Sequence, residues 1–503
     1  MSPLVTKPAA VAGAGRRAQV AIGVFAALVV GLAYSYSTKP AAGSAQSAAA
    51  ATATPVRNTT VICPMVTGQG DADFSAITPV GAGTPGGGDT ATVTAFNGQT
   101  PAIALKGTGT LGTVDSLSGE PANLNNESVP IVAQATGAYA PGFTVTETLI
   151  SGTGPSHGLA GTPCTAPDTD YWFIGAAGDA KSALLNMYNS DQIAAEVNLS
   201  AYTQDGPVTG GLMQTDQGLL VQPTSQYTQP VDLTALANNG PTPIAVHLTT
   251  TAGRVAAALL DSDANGGRDF IQSQKPAAHL VIPGIPAPAA DAAAKMKLQL
   301  TLLSPTADAD VTLHWIGGST ITPNVTVPHL SAGKVQQVDL SSVPVSGEAA
   351  ALQIDSANGV PLIAEIRVTG QGGSDSAYLN PVAALTGESV VADNIGGSVV
   401  QLSNTATKDA QVKVTVEGSG NPAPQTVTVP AGSTKAVPLQ APAGAASFAV
   451  SVDPMGGAAS VFAARIMTST GGLITIQPMS TALETVDVPA VRSDLSGAVP
   501  QSH

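Results

Sequence analysis

Apolar and polar residues alternate along many short segments of the chain, which are bounded by Gly, Pro, Asn or Asp. The pattern is clearest in QVKVTVE at 411–417, where a valine occupies every second position between polar residues. Successive side chains of a strand point to opposite faces of its sheet, so this segment buries one face and exposes the other. Val/Thr/Ile-rich runs separated by turn residues are typical of strands. The pattern therefore predicts an all-β fold.

From about residue 183 these segments recur at a spacing of roughly 100–115 positions. A small residue, a polar residue and Val stand at 195–197, 309–311 and 410–412. An apolar run ending in a turn precedes each of these marks, and a glycine followed by an apolar strand closes each unit. Units of about 100 residues with several antiparallel strands fit immunoglobulin-like sandwiches. We therefore expect tandem immunoglobulin-like β-sandwich domains.

An apolar segment, Ala18 to Tyr36, follows Arg16 and Arg17. As a helix it would span about 28 Å, close to the hydrocarbon thickness of a bilayer. The basic flank predicts a single-pass membrane protein with a cytoplasmic N-terminus and an extracytoplasmic bulk. The alternative is a signal peptide that is cleaved to release a secreted protein, although signal peptides usually have shorter apolar regions.

The chain has two cysteines, Cys63 and Cys164. Neither has a Cys or His neighbour at the spacing of a zinc site. Outside the cytoplasm, two cysteines without other partners most simply form a disulfide, and the alternative is two free buried thiols.

The N-terminal part of the exterior, residues 59–170, is harder to interpret. It is either a separate domain or an elaborated edge of the first repeat. The expected organisation is a cytoplasmic N-terminus at 1–17, a transmembrane helix at 18–36, an Ala/Ser/Thr/Pro-rich linker at 37–58, an N-terminal β region closed by a disulfide at 59–170, β-sandwich repeats at 171–285, 286–385 and 386–480, and a tail at 481–503.

Three segments carry a resemblance to a known family: PCTAPDTDYWFIG at 163–175, ALLNMYNSDQIAAEVNL at 183–199 and GRVAAALLDSD at 253–263. They resemble an actinobacterial family of secreted or membrane-anchored proteins of unknown function. The second and third repeats also resemble a repeat of bacterial surface proteins. This resemblance implies a location in the cell envelope and a repeated architecture, and it implies no activity.

The charge of the chain narrows the choice of partners. There are 34 Asp and Glu against 19 Lys and Arg, for a net charge of −15, and no acidic residue precedes Asp71. An acidic exterior repels phosphate backbones, so nucleic-acid binding is disfavoured. The expected partners are the membrane, through Ala18 to Tyr36, and an envelope polysaccharide or envelope protein.

One acidic segment has the pattern of a calcium loop. Asp261, Asp263, Asn265 and Asp269 place oxygen-bearing side chains around the glycines at 266–267. Calcium takes six to eight oxygen ligands, and alternate positions around a glycine turn supply several of them. The alternative is an ordinary solvated turn, for which Asp, Asn and Gly are common residues. No other cofactor is expected.

Tyr171 and Trp172 form a second candidate site, because exposed aromatic rings stack on sugars. The alternative is that these rings seal a core. The chain contains no H-E-x-x-H, G-x-S-x-G or P-loop motif. We therefore expect a non-catalytic envelope protein. The alternative is a carbohydrate-active accessory protein or hydrolase, whose site would be assembled from loops.

Overall fold

The computed structural model describes residues 52–63, 72–78, 84–96, 110–114, 121–127, 129–151, 157–177, 180–209, 218–226, 230–237, 242–263, 267–287, 296–317, 325–340, 349–369, 375–417, 422–457 and 460–488. The expected transmembrane helix at 18–36 and linker at 37–58 lie outside these residues, apart from 52–58. In the described part of the chain, no helix has the length and apolar character to cross a membrane. The regular elements there are strands and three 3-10 turns, Gly137–Tyr139, Leu233–Ala237 and Met455–Gly457, which confirms the all-β prediction.

The chain divides into two units, one of Met1–Thr54 with Asp487–His503 and one of Pro55–Val486. Strands β1 (Thr52–Pro55) and β36 (Thr485–Val488), close to the two ends of the chain, form a two-stranded sheet. The other strands of the described residues belong to the larger unit and form eight sheets, which pair into four sandwiches.

The first sandwich occupies the residues that were hardest to interpret from the sequence. Both sheets of this sandwich consist of its own strands, so the region forms a sandwich separate from the first repeat. One sheet contains, in spatial order, β2 (Asn58–Cys63), β7 (Ile131–Thr136), β4 (Ala91–Ala95) and β5 (Thr110–Thr113), and the other contains β6 (Ala122–Glu127), β3 (Ala72–Ile77), β8 (Thr144–Ser151) and β9 (Gly158–Pro163).

The second sandwich follows the same order, with two of its positions shared by pairs of short strands. One sheet contains β10 (Asp170–Ala177), β17 (Pro243–Ala252) and β12 (Ala195–Thr203), with β13 (Gly206–Pro207) and β14 (Leu219–Val221) both paired to β12; the other contains β15 (Ser225–Gln226) and β16 (Val231–Asp232), both paired to β11 (Ser182–Asn189), then β18 (Ala256–Ser262) and β19 (Arg268–Ile271).

The third and fourth sandwiches have eight strands each. The third contains β20 (His279–Ile285), β25 (Ala350–Ser356), β22 (Ala309–Ile316) and β23 (Val325–Leu330) in one sheet, and β24 (Val335–Asp339), β21 (Lys297–Leu303), β26 (Ile363–Thr369) and β27 (Ser376–Leu379) in the other. The fourth contains β28 (Ser389–Asn394), β33 (Phe448–Pro454), β30 (Ala410–Glu417) and β31 (Gln425–Val429), then β32 (Thr434–Pro438), β29 (Val399–Asn404), β34 (Val461–Ser469) and β35 (Leu473–Met479).

All four sandwiches share one topology. The first sheet has the order first, sixth, third and fourth strand, and the second sheet has the order fifth, second, seventh and eighth. The central pairs, third with sixth and second with fifth, also occur in the constant-type immunoglobulin fold. In that fold the first strand lies beside the second, whereas here it pairs with the sixth and the seventh strand pairs with the second. The similarity to immunoglobulin domains therefore covers the central pairs and not the flanking strands.

Strand β20 lies on the other side of a boundary from where we expected it. The sequence ranges place it at the end of the repeat 171–285, whereas the structure uses it as the first strand of the third sandwich. The repeated sequence segments lie on the second, third and seventh strands of each unit. They therefore do not show at which residue the first strand of a unit begins.

Each sandwich has its own apolar core. In the fourth, Val412, Val414 and Val416 of β30 all lie in the core, and the intervening Gln411 and Lys413 are exposed. Glu417, on the same face as those two polar residues, is buried, so the alternation predicted the core face correctly and the exposure of the opposite face only in part. The remaining cores contain the corresponding alternate residues of their own strands.

The four sandwiches form a closed ring. The first sheet of each sandwich packs against the second sheet of the next, and the first sheet of the fourth packs against the second sheet of the first. Each interface has its own apolar cluster. From the first interface to the last, the buried members are Ile62, Phe96, Tyr188 and Ala256; Trp172, Ile174, Ala245, Leu303, Val335 and Ile363; Val281, Ile316, Ala351 and Phe462; and Ile77, Ala392 and Ala449.

The segments that connect the sandwiches repeat the same backbone contacts. The first part of each connecting segment forms backbone hydrogen bonds with the first strand of the preceding sandwich. Its later part forms backbone hydrogen bonds at the start of the seventh strand of the following sandwich. The C-terminal segment makes the equivalent contacts after the fourth sandwich, where Ala482 N donates to Glu388 O at 2.7 Å and Gly142 N donates to Leu483 O at 3.1 Å. Val56 N then donates to Glu484 O at 2.9 Å, so the two ends of the unit complete the ring.

Candidate functional site

The eighth strands of the four sandwiches, β9, β19, β27 and β35, meet at the centre of the ring, and we call them the inner strands. Each contacts the next around the ring, including β35 with β9. Every inner strand is the edge strand of its sheet. An edge strand has backbone N–H groups that its own sheet does not use, and these need acceptors when they are buried.

Asp375 provides acceptors for all four inner strands. Its Oδ1 accepts from the backbone N–H of Arg268 at 3.1 Å and of Ser376 at 3.0 Å. Its Oδ2 accepts from the N–H of Leu159 at 3.0 Å and of Ile474 at 2.9 Å. The side chain is buried, and one carboxylate therefore joins a backbone group from each sandwich.

Asp269 forms a second layer with the same property. Its Oδ1 accepts from the N–H of Gly161 at 3.1 Å and of Phe270 at 2.9 Å, and from Thr475 Oγ1 at 2.9 Å. Its Oδ2 accepts from the N–H of Tyr378 at 3.4 Å. In β9, β19 and β27 the donor to Asp269 lies two residues after the donor to Asp375, so these strands run in the same direction.

Burial dominates the electrostatics of this centre. Burial raises the pKa of Asp269 well above the ordinary value. The hydrogen bonds that this carboxyl accepts lower its pKa, and the nearby Asp375 carboxyl raises it further. Burial also raises the pKa of Asp375, and its four backbone donors oppose the rise. Arg465 is fully buried nearby, donates to Gln477 Oε1 at 2.6 Å, and has a pKa lowered to about 10 by burial. Both carboxylates are occupied by donors, which suits them to holding strands together rather than to transferring protons.

The acidic segment 261–269 does not converge on a single point. Asp261 accepts a hydrogen bond from the hydroxyl of Tyr378, and Asp263 forms an ion pair with Arg367. Asp269 lies among the inner strands, and Asn265 lies outside the described residues. Within the described parts of the chain, no three His, Cys, Asp or Glu side chains form a group able to hold a metal ion. The described members of the calcium hypothesis therefore bond to groups of the protein itself, and Asp261 and Asp269 both bond to Tyr378.

The two aromatic candidates are buried. Tyr171 is 3% exposed, and its hydroxyl donates to Val255 O at 2.8 Å. Trp172 is 6% exposed and stacks on His247 with ring centroids 3.9 Å apart and on Tyr202 at 5.7 Å. Because neighbouring side chains cover these rings, the sugar-stacking interpretation is replaced by the core-sealing alternative.

Cys63 and Cys164 form the predicted disulfide. Cys63 ends β2, and Cys164 directly follows β9, so the bond joins the first strand of the first sandwich to its inner strand. Beside it, Ile62 and Thr165 exchange two backbone hydrogen bonds of 2.9 and 3.0 Å.

The sequence contains a signal for the central carboxylates that motif searching missed. Asp269 and Asp375 both follow the pattern Gly-Gly-x-Asp at the start of an inner strand, at 266–269 and 372–375. A Gly-Gly pair also precedes the inner strand of the fourth sandwich, at 471–472. The repeated pair could have marked the eighth strand, but its role depends on the other three sandwiches.

Comparison with known proteins identifies a family without identifying a function. Residues 115–440 match the model of a family described as "Family of unknown function (DUF5719)". The chain belongs to this family. The match starts within the first sandwich and ends just after β32 in the fourth, so it includes the connections that join all four. No curated protein matches the chain.

Proposed function

We propose that this DUF5719 protein is a membrane-anchored cell-envelope protein whose ring of sandwiches has a structural or binding role outside the membrane, without catalysis. The observation that carries the proposal is the disulfide between Cys63 and Cys164, because such bonds persist in oxidising compartments. The apolar segment Ala18 to Tyr36, with its preceding Arg16 and Arg17, supports the same location.

The use of the buried acids supports a non-catalytic role. Catalytic carboxylates need space for a substrate, whereas Asp269 and Asp375 have hydrogen-bond donors from every inner strand. The family membership implies no activity. Actinobacterial origin and an envelope polysaccharide or envelope protein as partner belong to the same proposal.

Membrane fractionation of the full chain tests the location. We expect the wild-type chain to sediment with membranes, resist carbonate extraction, and be digested by external protease in intact cells. Val29→Arg places a charge in the middle of the apolar segment and should release the protein from the membrane fraction. Wild-type protein in the soluble cytoplasmic fraction, with reduced cysteines, would contradict the proposal.

Binding of the detergent-solubilised full chain to purified envelope polysaccharide, peptidoglycan and membrane-protein extract tests the role. Saturable binding to one fraction, without chemical change of that fraction, is the expected result. Release of soluble sugars from the polysaccharide or peptidoglycan fraction would instead show a hydrolase.

A further inference from the structure

The interface between the fourth and first sandwiches, which we call the seam, differs from the other three interfaces. Its buried apolar residues form two clusters, one of Ile77, Ala392 and Ala449 and one of Leu159, Met467 and Leu473. Each of the other three clusters includes at least one large aromatic side chain. Burial of an aromatic ring contributes far more apolar area than burial of an alanine. Neither seam cluster contains an aromatic side chain, so the seam lacks the large contact that each of the other three interfaces has.

The cores of the sandwiches also distinguish the seam from the other interfaces. The core of the first sandwich includes Leu260 and Phe270 of the second, the core of the second includes Tyr378 of the third, and the core of the third includes Ile466 and Ile476 of the fourth. Among the described residues, the core of the fourth contains none from the first sandwich. The seam is also the one interface where no continuous peptide segment connects the inner strand of one sandwich to the first strand of the next.

Carboxylates take the place of apolar side chains on the seam face of the fourth sandwich. Glu417 lies directly opposite Ala449 across the β30–β33 pair, so the two side chains share a face. Ser451 Oγ donates to Glu417 Oε1 at 2.5 Å, and both residues are buried. Glu388 precedes β28, and Ser451 hydrogen-bonds its side chain as well.

The pKa values of Glu388 and Glu417 are shifted by burial and by the charged and polar groups around them. Burial raises the pKa of Glu388, with further increases from Glu417, Glu484 and Asp453, while Ser451 lowers it. Burial likewise raises the pKa of Glu417, and Ser451 lowers it, as does Lys413 of β30.

A third carboxylate, Asp393, lies at the same seam. Its backbone has a φ of 57°, unusual for a residue with a side chain. Burial raises its pKa, Thr148 of β8 and Arg465 of β34 lower it, and Asp73 of β3 raises it; Ser447 also hydrogen-bonds the carboxyl and lowers the pKa.

We propose that the ring opens at the seam, and that ionisation of Glu388, Glu417 and Asp393 promotes the opening. Water reaches these carboxylates when the seam separates, so the open ring favours their charged forms. Because their pKa values are raised in the closed ring, the closed ring binds protons more tightly than the open one. Closure is then strongest below the ordinary Glu pKa of 4.5 and weakens as the pH rises through the raised values. This proposal does not depend on the proposed function.

Thiol labelling of the full chain tests the opening. Ala449→Cys places a thiol in the seam, and Ala351→Cys and Ala245→Cys place matched thiols in two other interfaces. All three alanines are fully buried and lie on the sixth strand of a sandwich. The reagent is 4,4′-dithiodipyridine, which reacts in acid as well as base. Each rate is divided by that of the same variant in denaturant at the same pH, which removes the titration of the thiol itself.

At pH 8 we expect the normalised rate at position 449 to be at least tenfold higher than at positions 351 and 245. The ratio should fall at least threefold at pH 5. Replacing both Glu388 and Glu417 by Gln should remove most of this pH response, whereas Asp205→Asn, an exposed turn residue of the second sandwich, should leave it unchanged. Equal normalised rates at the three positions would overturn the opening, and a full pH response in the double Gln variant would overturn the role of the carboxylates.

Discussion

Replacement of Asp375 by Ala removes the acceptor that joins the four sandwiches. The N–H groups of Leu159, Arg268, Ser376 and Ile474 would then lose their acceptor together. Each buried donor left without an acceptor costs about 1–3 kcal/mol, so four of them cost about 4 kcal/mol or more. A typical domain is stable by about 5–15 kcal/mol, and the change should therefore shift unfolding strongly. Asp375→Asn keeps one acceptor oxygen and should lose about half as much.

Urea unfolding at pH 7 measures this effect. The two tryptophans, Trp172 and Trp315, lie in the second and third sandwiches and report unfolding by fluorescence. We expect the midpoint to fall in the order wild type, Asp375→Asn, Asp375→Ala, with an unchanged denaturant slope. Asp205→Ala, on the surface of the second sandwich, serves as the control and should cost less than about 0.5 kcal/mol. If Asp375→Ala and Asp205→Ala have the same midpoint, the acceptor role of Asp375 is wrong.

Three further changes test other parts of the structure. Burial raises the pKa of Glu147 well above its ordinary 4.5, so this carboxyl should lower wild-type stability above that pH by about 1.4 kcal/mol per unit until it ionises. Buried Asp269 and Glu365 contribute slopes of the same sign, so Glu147→Gln should reduce the total slope by the Glu147 share in urea titrations from pH 4 to 8. Cys63→Ala should cost about 4–5 kcal/mol and make the first sandwich protease-sensitive while 386–480 stays resistant; unchanged digestion would exclude that contribution. Gly175→Ala places a Cβ 2.1 Å from Glu365 Oε2 at a φ of 112°, so it should lower the melting temperature far more than Gly359→Ala, which meets nothing within 4 Å at a φ of 73°; similar losses would refute the clash.

The candidate site shows where prediction from sequence stops. The Asp269 side chain was interpretable as a calcium ligand because the residues just before it have the spacing of a calcium loop. In the structure its oxygens accept from groups on strands 108, 109 and 206 positions away. Local spacing carries no information about partners so distant in sequence, so the sequence pattern suggested an ion where the protein supplies its own donors.

The alternation of apolar and polar residues was sufficient by itself to determine that the described part of the chain is all-β and which face of β30 lies in the core, because a strand places alternate residues on opposite faces. The cysteine pair and its context likewise predicted the disulfide. The count of four sandwiches, the placement of β20 and the closure of the ring were decided by the tertiary structure. Those features depend on which edges and faces meet after the strands have formed, and similar strand patterns in all four units leave that choice to the packing between them.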